Sequence, residues 1–374
     1  MFRIEEVTTK KQRKQFVDFV VELYKGCPQY VPQLRGDEMR LATPKENPAF
    51  EKAHAKYFLV YDEADCVVGR MCAMVQFGYN EKVNKKYLRF TRMDFIDDKK
   101  VSKLLYDKMV ELAKAEGMEY IHGPLGFSDF DQEGLVVEGY DTTPTASNVY
   151  HYEYYKKHLE ELGFEKEVDW LEFKIAIPTE VDEKYFNISK IISEKYHLKE
   201  AAIGTKSQII KNYGVHIFEL LDRCYGDLHG FVPVDDKTRD NLIDAFAMAA
   251  DPRFMSIICN EEGKMIGLGL CLSSLSEALK KNKGRLFPFG FIPVLQAIKN
   301  PKILELAFIA IDEEYRNKGV NAMIMAKIIP ACIENKIVYA ESNCQLEDNV
   351  KIRAFFKNFD MENHRRRRCY VKKI

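Results

Sequence analysis

The chain has 374 residues, a length at which two domains are expected rather than a single hydrophobic core. Apolar residues make up 46% of the chain and aromatic residues 12%, which is enough to fill packed cores. Its 56 basic and 57 acidic residues leave a net charge of −1, so the chain lacks the basic surplus of a protein that binds nucleic acid. We therefore expect no nucleic-acid partner.

The nine cysteines are scattered along the chain and contain no C-x-x-C pair. This spacing favours free, mostly buried thiols in a reducing compartment over disulfides or a metal site. The N-terminus is charged from Arg3 to Glu6, and no apolar run is long enough to cross a bilayer. We expect a cytoplasmic protein without a metal or a membrane partner.

The first half of the chain alternates between strand and helix patterns. A spacing of two residues between apolar positions predicts strands, and a spacing of 3.6 residues predicts helices. The predicted strands are Phe2–Val7, Tyr57–Asp62, Cys66–Phe77, Tyr87–Ile96, Tyr120–His122 and Trp170–Ile177. The predicted helices are Lys10–Tyr24, Val101–Glu116 and Val149–Leu162, and Cys27–Pro48 reads as a loop with a short helix.

The second half repeats this order of elements. Its predicted strands are Leu198–Ile203, Phe254–Cys259, Met265–Leu272, Ile303–Ile311, Lys336–Ala340 and Arg366–Lys372. Its predicted helices are Ser207–Cys224, Lys237–Ala249, Val320–Asn335 and Asn349–Phe359. A strand ends near Pro178, so we place a hinge there and predict domains at 1–178 and 179–374.

A basic loop with one glycine joins the predicted strand Ile303–Ile311 to the predicted helix that begins at Val320. The loop reads Arg-Asn-Lys-Gly-Val-Asn from Arg316 to Asn321. The first N–H groups of a helix have no intrahelical acceptor and carry partial positive charge, so they attract phosphate. A glycine lets the backbone approach the phosphate closely. The loop closely resembles the R/Q-x-x-G-x-G/A loop of the GCN5-related N-acetyltransferases, although Asn321 replaces the last Gly or Ala.

The resemblance implies an α/β fold of two tandem acyl-CoA N-acyltransferase domains, each a mixed, mostly antiparallel sheet flanked by helices. It also implies that acetyl-CoA or another acyl-CoA binds in the second half and that the acceptor is a small-molecule or peptide amine. A homodimer is possible. A group of tandem bacterial proteins shares a Leu-Glu-Asp-Asn segment that resembles Leu346–Asn349. The cofactor-binding residues implied are Phe308, Ile309, Ala310, Ile311, Arg316, Asn317, Lys318, Gly319, Val320, Asn321, Asn349 and Phe356.

The corresponding loop of the first half is different in charge. It runs from Asp97 to Ser102, has no glycine and carries two carboxylates that would repel phosphate. We expect that the first copy does not bind acyl-CoA in the usual way. Its glycine-rich stretch from Gly123 to Asp141 either shapes an acceptor pocket or is a structured loop that holds the domains together.

Three residues are candidates for the chemistry of amine acylation, which needs a proton taken from the amine and one given to the leaving thiolate. Glu305 lies in the apolar strand before the loop, at the position of the general-base glutamate in the histone-acetyltransferase branch of the family. Glu341 follows the next strand and is the rival base or an amine ligand. The alternative for either glutamate is a simple strand-end charge. Phe356 stands where many family members have the acid tyrosine, so Tyr339 or water would protonate the thiolate.

Three further segments leave alternatives open. Asn349 either bonds the pantetheine arm of the cofactor or caps the last helix with Asp348. The insertion Ser273–Lys302 is either a lid over an acyl chain or packs against the other domain. The run Arg365–Arg368 is either a solvated strand end or a phosphate or partner contact.

The leading functional hypothesis is an acyl-CoA-dependent N-acyltransferase. A second is a catalytically silent tandem module that binds acyl-CoA or a partner, since the first copy is degenerate and Phe356 carries no hydroxyl. A third is aminoacyl-tRNA-dependent transfer, because the peptidoglycan-bridge enzymes also carry two such folds. The balanced net charge argues against the third.

Overall fold

The computed structural model describes residues 1–349, 356 and 359–374, without the side chains of residues 247 and 248. Most of the predicted helix Asn349–Phe359 lies outside the described residues. The strands are β1 (Arg3–Glu6), β2 (Ala53–Tyr61), β3 (Val67–Gln76), β4 (Tyr87–Phe95), β5 (Tyr120–Gly123), β6 (Leu135–Glu138), β7 (Glu165–Ala176), β8 (Lys199–Glu200), β9 (Ala250–Cys259), β10 (Met265–Ser273), β11 (Ile303–Ile311), β12 (Tyr339–Ser342), β13 (Gln345–Leu346) and β14 (Met361–Lys373).

The helices lie between these strands in the order that the sequence predicts, with additions in the loops. They are α1 (Lys10–Leu23), α2 (Arg35–Leu41), α3 (Phe77–Val83), α4 (Lys99–Ala115), α5 (Tyr154–Glu161), α6 (Glu183–Tyr196), α7 (Lys206–Tyr225), α8 (Asp236–Ala249), α9 (Ser276–Asn282), α10 (Phe291–Lys299) and α11 (Val320–Glu334). Short 3₁₀ turns lie at Pro48–Glu51 and Glu313–Tyr315.

The chain forms two compact units, and each is discontinuous in sequence. Unit 1 comprises Met1–Leu171, Ser276–Pro293 and His364–Ile374, and unit 2 comprises Glu172–Leu275 and Val294–Asn363. The predicted division at 178/179 follows sequence order alone. The units differ from it because the last residues of the chain join unit 1, while the end of β7 joins unit 2.

Unit 1 is built on a mixed sheet in the order β1-β2-β3-β4-β5-β14, with β6 also paired to β14. Among the described strand pairs of this unit, β4 and β5 run parallel, with Tyr87 opposite Tyr120 and Arg89 opposite His122. Helix α4 packs on the sheet through Val101, Leu105 and Met109, which are fully buried at a spacing of four residues. These contacts place one hydrophobic core between α4 and the sheet.

Unit 2 repeats the arrangement in the order β8-β9-β10-β11-β12, followed by the end of β7. Strands β11 and β12 run parallel, and the other neighbours run antiparallel. Helix α11 is apolar around most of its circumference and covers the sheet, where Ile324 lies directly over Gly269 of β10. The predicted fold class, with tandem mixed and mostly antiparallel sheets flanked by helices, is confirmed.

For two of the segments with alternative interpretations, contacts within unit 1 now decide between the alternatives. The part of the insertion up to Pro293 packs on the first half of the chain, where Ser276 Oγ donates to the Pro144 carbonyl at 2.9 Å and Arg35 N–H donates to the Gly284 carbonyl at 2.8 Å. The Arg365–Arg368 run is not a solvated strand end. Arg365 and Arg367 are buried, and Arg366 and Arg368 bind the buried Asp169.

Candidate active site in unit 2

The two parallel strands of unit 2 separate at a bulge in β11. Residues Ile303–Leu306 of β11 pair in register with Tyr339–Ser342 of β12. On its other side β11 changes register against β10, so that Phe308 and Leu306 face consecutive residues of β10 and Ala307 is the extra residue. A bulge bends its strand and redirects the side chains around it. Beyond Ala307, β11 continues to Ile311 while β12 has already ended at Ser342.

Both candidate carboxylates lie at the end of the paired segment. Glu305 of β11 is directly opposite Glu341 of β12, and both are buried, at 3% and 5% exposure. Register partners on neighbouring strands have side chains on the same face, so the two carboxylates are neighbours. Glu172 of β7 is also fully buried, and one of its carboxylate oxygens lies within 4.8 Å of one from Glu341. Sequence reasoning missed Glu172 because its register against β12 is set by the fold.

Strand β12 begins and ends later in the chain than the sequence predicts. The sequence predicts a strand over Lys336–Ala340, but Lys336 adopts a left-handed φ of 54° that terminates α11, and the strand begins at Tyr339. Glu341 is therefore inside the strand rather than after it. Tyr339 is half-buried, and the Lys174 ammonium lies 4.6 Å from its ring centroid.

The backbone of β11 beyond the bulge is engaged by the C-terminal end of α7. The Tyr225 hydroxyl accepts from Ile309 N–H at 3.3 Å and donates to the Ile309 carbonyl at 2.9 Å. The Cys224 thiol lies 3.4 Å from the Ile311 carbonyl, and burial raises the pKa of this thiol, which keeps it protonated as a donor. A side chain thus takes the place of a neighbouring strand at Ile309. The sequence carried no signal for Tyr225, since only tertiary packing brings α7 to this edge.

The predicted phosphate loop has the local geometry of an anion site. Asn317 and Gly319 adopt left-handed φ angles of 60° and 85°, and Gly319 is the N-cap of α11 without any side-chain capping bond. In the part of the chain that the structure describes, the N–H groups of Gly319, Val320 and Asn321 donate no bond to a backbone carbonyl. The macrodipole of α11 adds partial positive charge at these groups.

The side chains around this loop turn back onto unit 2. Arg316 Nε donates to the Ile311 carbonyl at 3.3 Å, and the Lys318 ammonium lies 5.1 Å from the Tyr196 ring centroid of α6. A Cβ on Gly319 would lie 3.1 Å from Ile192 of the same helix, in addition to the left-handed φ. The left-handed backbone conformation and the close approach of Ile192 both favour glycine at this position.

Phe308, Ile309, Ala310 and Ile311 of β11 lead from the bulge to the loop. Their role in binding a cofactor stays a prediction. Asn349 lies in a turn, where its N–H donates to the Leu346 carbonyl at 2.9 Å, and the helix that it was predicted to cap lies outside the described residues. Phe356 is buried and its ring centroid is 5.9 Å from that of Phe359. An aromatic ring without a hydroxyl therefore occupies this position.

The arrangement joins three chemical functions along one strand. Buried carboxylates can take a proton, the separated edge of β11 offers backbone donors and acceptors, and the uncapped start of α11 offers N–H groups to an anion. A ligand with an anionic end and a reactive end about 20 Å apart would span the seven strand residues from Glu305 to Ile311, which lead to the loop.

Residues 215–361 match the acetyltransferase (GNAT) family, a range that contains α11, its loop and both candidate glutamates. This part of the chain is therefore similar to the GNAT acetyltransferases, and the resemblance predicted from the loop is confirmed.

Solved structures of this class share the fold over the whole chain. A tandem GNAT protein from the clavulanic acid biosynthesis pathway superimposes with a TM-score of 0.57 at 10% identity, covering 100% of this chain and 98% of the other. A GCN5-related N-acetyltransferase from Sphaerobacter thermophilus gives 0.52 at 9% identity, covering 100% and 95%. At these identities the likeness extends to the tandem fold alone.

Two relatives match in sequence. Protein YghO of Escherichia coli is 24% identical over 98% of this chain and 94% of its own length. A bacterial ceramide synthase of Caulobacter vibrioides is 24% identical over 78% of this chain and 75% of its own length. Among the described residues no helix has the length and apolar character needed to cross a membrane.

Proposed function

We propose that the protein is an acyl-CoA-dependent N-acyltransferase with its active site in unit 2. The observation that carries the proposal is the continuity of β11. It runs from Glu305, buried opposite Glu341, through the bulge at Ala307, to the uncapped N-terminus of α11. The candidate base, the separated edge of β11 and the anion site thus follow one another along the chain. This is also the order of the thioester, the pantetheine arm and the pyrophosphate in acyl-CoA.

In this proposal, the N–H groups of Gly319, Val320 and Asn321 hold the pyrophosphate of acyl-CoA. The edge of β11 at Ile309 bonds the amide groups of the pantetheine arm, which must then replace the Tyr225 hydroxyl. The thioester reaches the bulge, and the amine lies between it and the buried glutamates. This assignment makes Glu341 an amine-binding residue and Glu305 the general base.

The chemistry moves three protons. Glu305 takes one from the acceptor ammonium, and the neutral nitrogen attacks the thioester carbonyl. A C–N bond forms and the C–S bond breaks, the nitrogen loses its second proton to solvent, and the departing thiolate receives a proton. The buried Phe356 offers none, so we assign that step to Tyr339 or to water.

The acceptor to test first is a long-chain amine. The ceramide synthase relative suggests this class, because a ceramide is an N-acylated long-chain amino alcohol. Sphinganine is a suitable probe, with spermidine and a lysine peptide as short and peptide amines. Release of the CoA thiol from acetyl-CoA and from palmitoyl-CoA would identify both the acceptor class and the acyl length.

Glu305→Gln tests the role of the base. The amide keeps the size of the side chain but cannot take the proton, so we expect kcat to fall by about 10²- to 10⁴-fold with little change in acyl-CoA affinity. Glu334→Gln, at the exposed end of α11, is the control and should leave kcat unchanged. A Glu305→Gln enzyme with wild-type kcat would remove Glu305 from the mechanism.

A catalytically silent acyl-CoA-binding module is the second candidate. The specific observation in its favour is that Tyr225 already bonds both backbone groups of Ile309, while Phe356 carries no hydroxyl. Tyr225→Phe separates binding from turnover. Loss of the hydroxyl should strengthen acyl-CoA binding about fivefold, since its two modest bonds no longer compete.

Tyr213→Phe on the same helix is the matched control and should not alter binding. If tighter binding by Tyr225→Phe brings no thiol release with any of the amines, the silent module is the better account. If thiol release rises with binding, Tyr225 limits access to an active enzyme.

A further inference from the structure

A seven-residue loop of unit 1 presents two phenylalanines to solvent. We call residues 284–290 the aromatic loop; it follows α9 and ends before α10. The exposed fractions of Phe287 and Phe289 are 82% and 72%, and Phe291 and Ile292, immediately after the loop, are 38% and 43% exposed. Large apolar side chains are rarely exposed together on a soluble protein without an interaction that uses them.

Hydrogen bonds within the loop hold it in the conformation that exposes these rings. The Asn282 side chain accepts from Gly284 N–H at 2.9 Å and donates to the Gly290 carbonyl at 2.8 Å, which ties the two ends of the loop together. Phe291 N–H donates across the loop to the Leu286 carbonyl at 2.8 Å. A Cβ on Gly290 would lie 1.7 Å from the Arg285 carbonyl, so only glycine permits this closed turn.

Basic residues lie just before the aromatic loop and at its start. Lys281, Lys283 and Arg285 are exposed and have no acidic neighbour in the segment from Lys280 to Gly290. We call these three residues the basic collar. Lys280 is set apart from them, because it pairs with Glu277 and donates to the Thr143 hydroxyl.

A cleft of about 450 Å³ opens beside Phe287 and can admit a polar headgroup. Its charged lining consists of Lys14, Arg35, Arg285 and Asp37. Arg35 is held in place by a bidentate pair with Asp18, at 2.7 and 3.0 Å, and Asp37 pairs with Arg40 at 3.1 Å. Lys14 and Arg285 are the exposed cations that face the opening.

We propose that the aromatic loop and the basic collar form a docking surface for an anionic phospholipid bilayer. The two phenylalanines enter the interfacial region, the collar contacts anionic headgroups, and one headgroup phosphate lies in the cleft between Lys14 and Arg285. Apolar tips surrounded by Lys and Arg are the combination that holds a protein at such a surface. The proposal departs from the expectation of no membrane partner, which was based on the lack of an apolar run long enough to cross a bilayer. It does not rest on acyl transfer in unit 2.

Co-sedimentation of the full-length protein with vesicles tests the proposal. Vesicles of phosphatidylcholine with one quarter phosphatidylglycerol should bind the wild type at least tenfold more strongly than vesicles of phosphatidylcholine alone, and added salt should weaken binding. Phe287→Ser with Phe289→Ser, and separately Lys281→Glu with Arg285→Glu, should each reduce binding about tenfold or more. Phe77→Ser, at a partly exposed phenylalanine of α3, is the control and should bind as the wild type does.

Variants that fail to fold would also lose vesicle binding, so a fluorescent reporter that gains a signal on binding is needed as a second measurement. The single tryptophan, Trp170, is buried, so Phe289→Trp adds an exposed reporter. Its emission should shift to the blue on anionic vesicles and stay unchanged on neutral ones. Equal binding to both vesicle types, or no blue shift, would overturn the proposal. A wild-type dimer that the loop variants convert to monomer, without vesicle binding, would also overturn it and assign the loop to a second copy of the chain.

Discussion

The two units differ most where the central strand meets the following helix. In unit 1, β4 leads directly into α4, and the Asp98 carboxylate caps that helix by accepting from Lys100 N–H at 2.7 Å. In unit 2, β11 leads through a basic loop to Gly319, which caps α11 with no side chain. A carboxylate at a helix N-terminus satisfies the N–H groups that an anion would otherwise bind. One copy of the fold has therefore used this site for stability, while the other has kept it open.

The parallel strand pairs of the two units, β4 with β5 and β11 with β12, also carry different charged residues. Arg89 is opposite His122 in unit 1, at the register position that Glu305 and Glu341 occupy in unit 2. His122, Glu167 and Cys369 converge there, and Glu167 already takes contacts from His122 at 3.2 Å and from the Cys369 thiol at 3.3 Å. The guanidinium of the buried Arg89 lies close enough to influence Cys369, which opposes a cation at this cluster. The two units thus share the strand pairing and differ in the charges that it presents.

Unit 1 also fills the space beside its central strand. The sheet bulges near Arg92, which has a left-handed φ of 48°, and this guanidinium binds Glu38 and Asp131, each at about 3.0 Å. These ion pairs hold the pKa of Asp131 below its usual range, although burial alone would raise it. The cavity that Arg92 and Asp94 line in this unit has a volume of about 30 Å³. That volume suits one or two waters rather than a pantetheine arm.

Among the variants that test this difference between the units, Arg92→Met should change the free energy of unfolding most. Removing one partner of a buried ion pair leaves Glu38 and Asp131 without it, so the free energy of unfolding should fall by about 3–5 kcal/mol. Arg40→Met, at the exposed pair with Asp37, should cost less than about 1 kcal/mol. Urea titration measures both. If Arg92→Met were as stable as the control, the network in unit 1 would not be a structural replacement for a ligand site.

A smaller effect is expected at the helix cap of unit 1. Asp98→Ala removes the acceptor for Lys100 N–H and should lower the free energy of unfolding by about 1 kcal/mol. Asp98→Asn keeps a good capping side chain and should stay close to the wild type. Acyl-CoA affinity should not change in either variant. A change in affinity on Asp98→Ala would show that unit 1 takes part in cofactor binding.

The sequence predicted the frame of the site because its local signals were strong. Strand β11 has the predicted bounds, and α11 begins at the predicted residue, since an apolar strand, a loop with one glycine and an apolar helix follow one another. The bulge at Ala307 has no sequence signature, because it depends on how β10 and β12 hold β11 from both sides. Tyr225 and Glu172 reach the site only through tertiary packing.

Local sequence patterns also did not indicate that two arginines of the run Arg365–Arg368 are buried, or that each unit is discontinuous in sequence. A run of four arginines resembles a solvated segment, and only the positions of Asp169 and of the Thr142 and Thr143 oxygens explain its burial. Likewise, the exchange of strand segments between the halves is a property of pairing at long range. Such pairings are set by the whole fold and not by a window of residues.

Asn321 offers the most direct test of the central claim that acyl-CoA binds at the start of α11. Asn321→Asp places a carboxylate in the first turn, which should maintain or raise helix stability and yet repel a pyrophosphate. Calorimetric titration with acetyl-CoA should show binding by the wild type and by Asn321→Ala, and affinity about tenfold lower for Asn321→Asp at an unchanged melting temperature. Equal affinity for Asn321→Asp and the wild type, or no binding by the wild type, would contradict the claim.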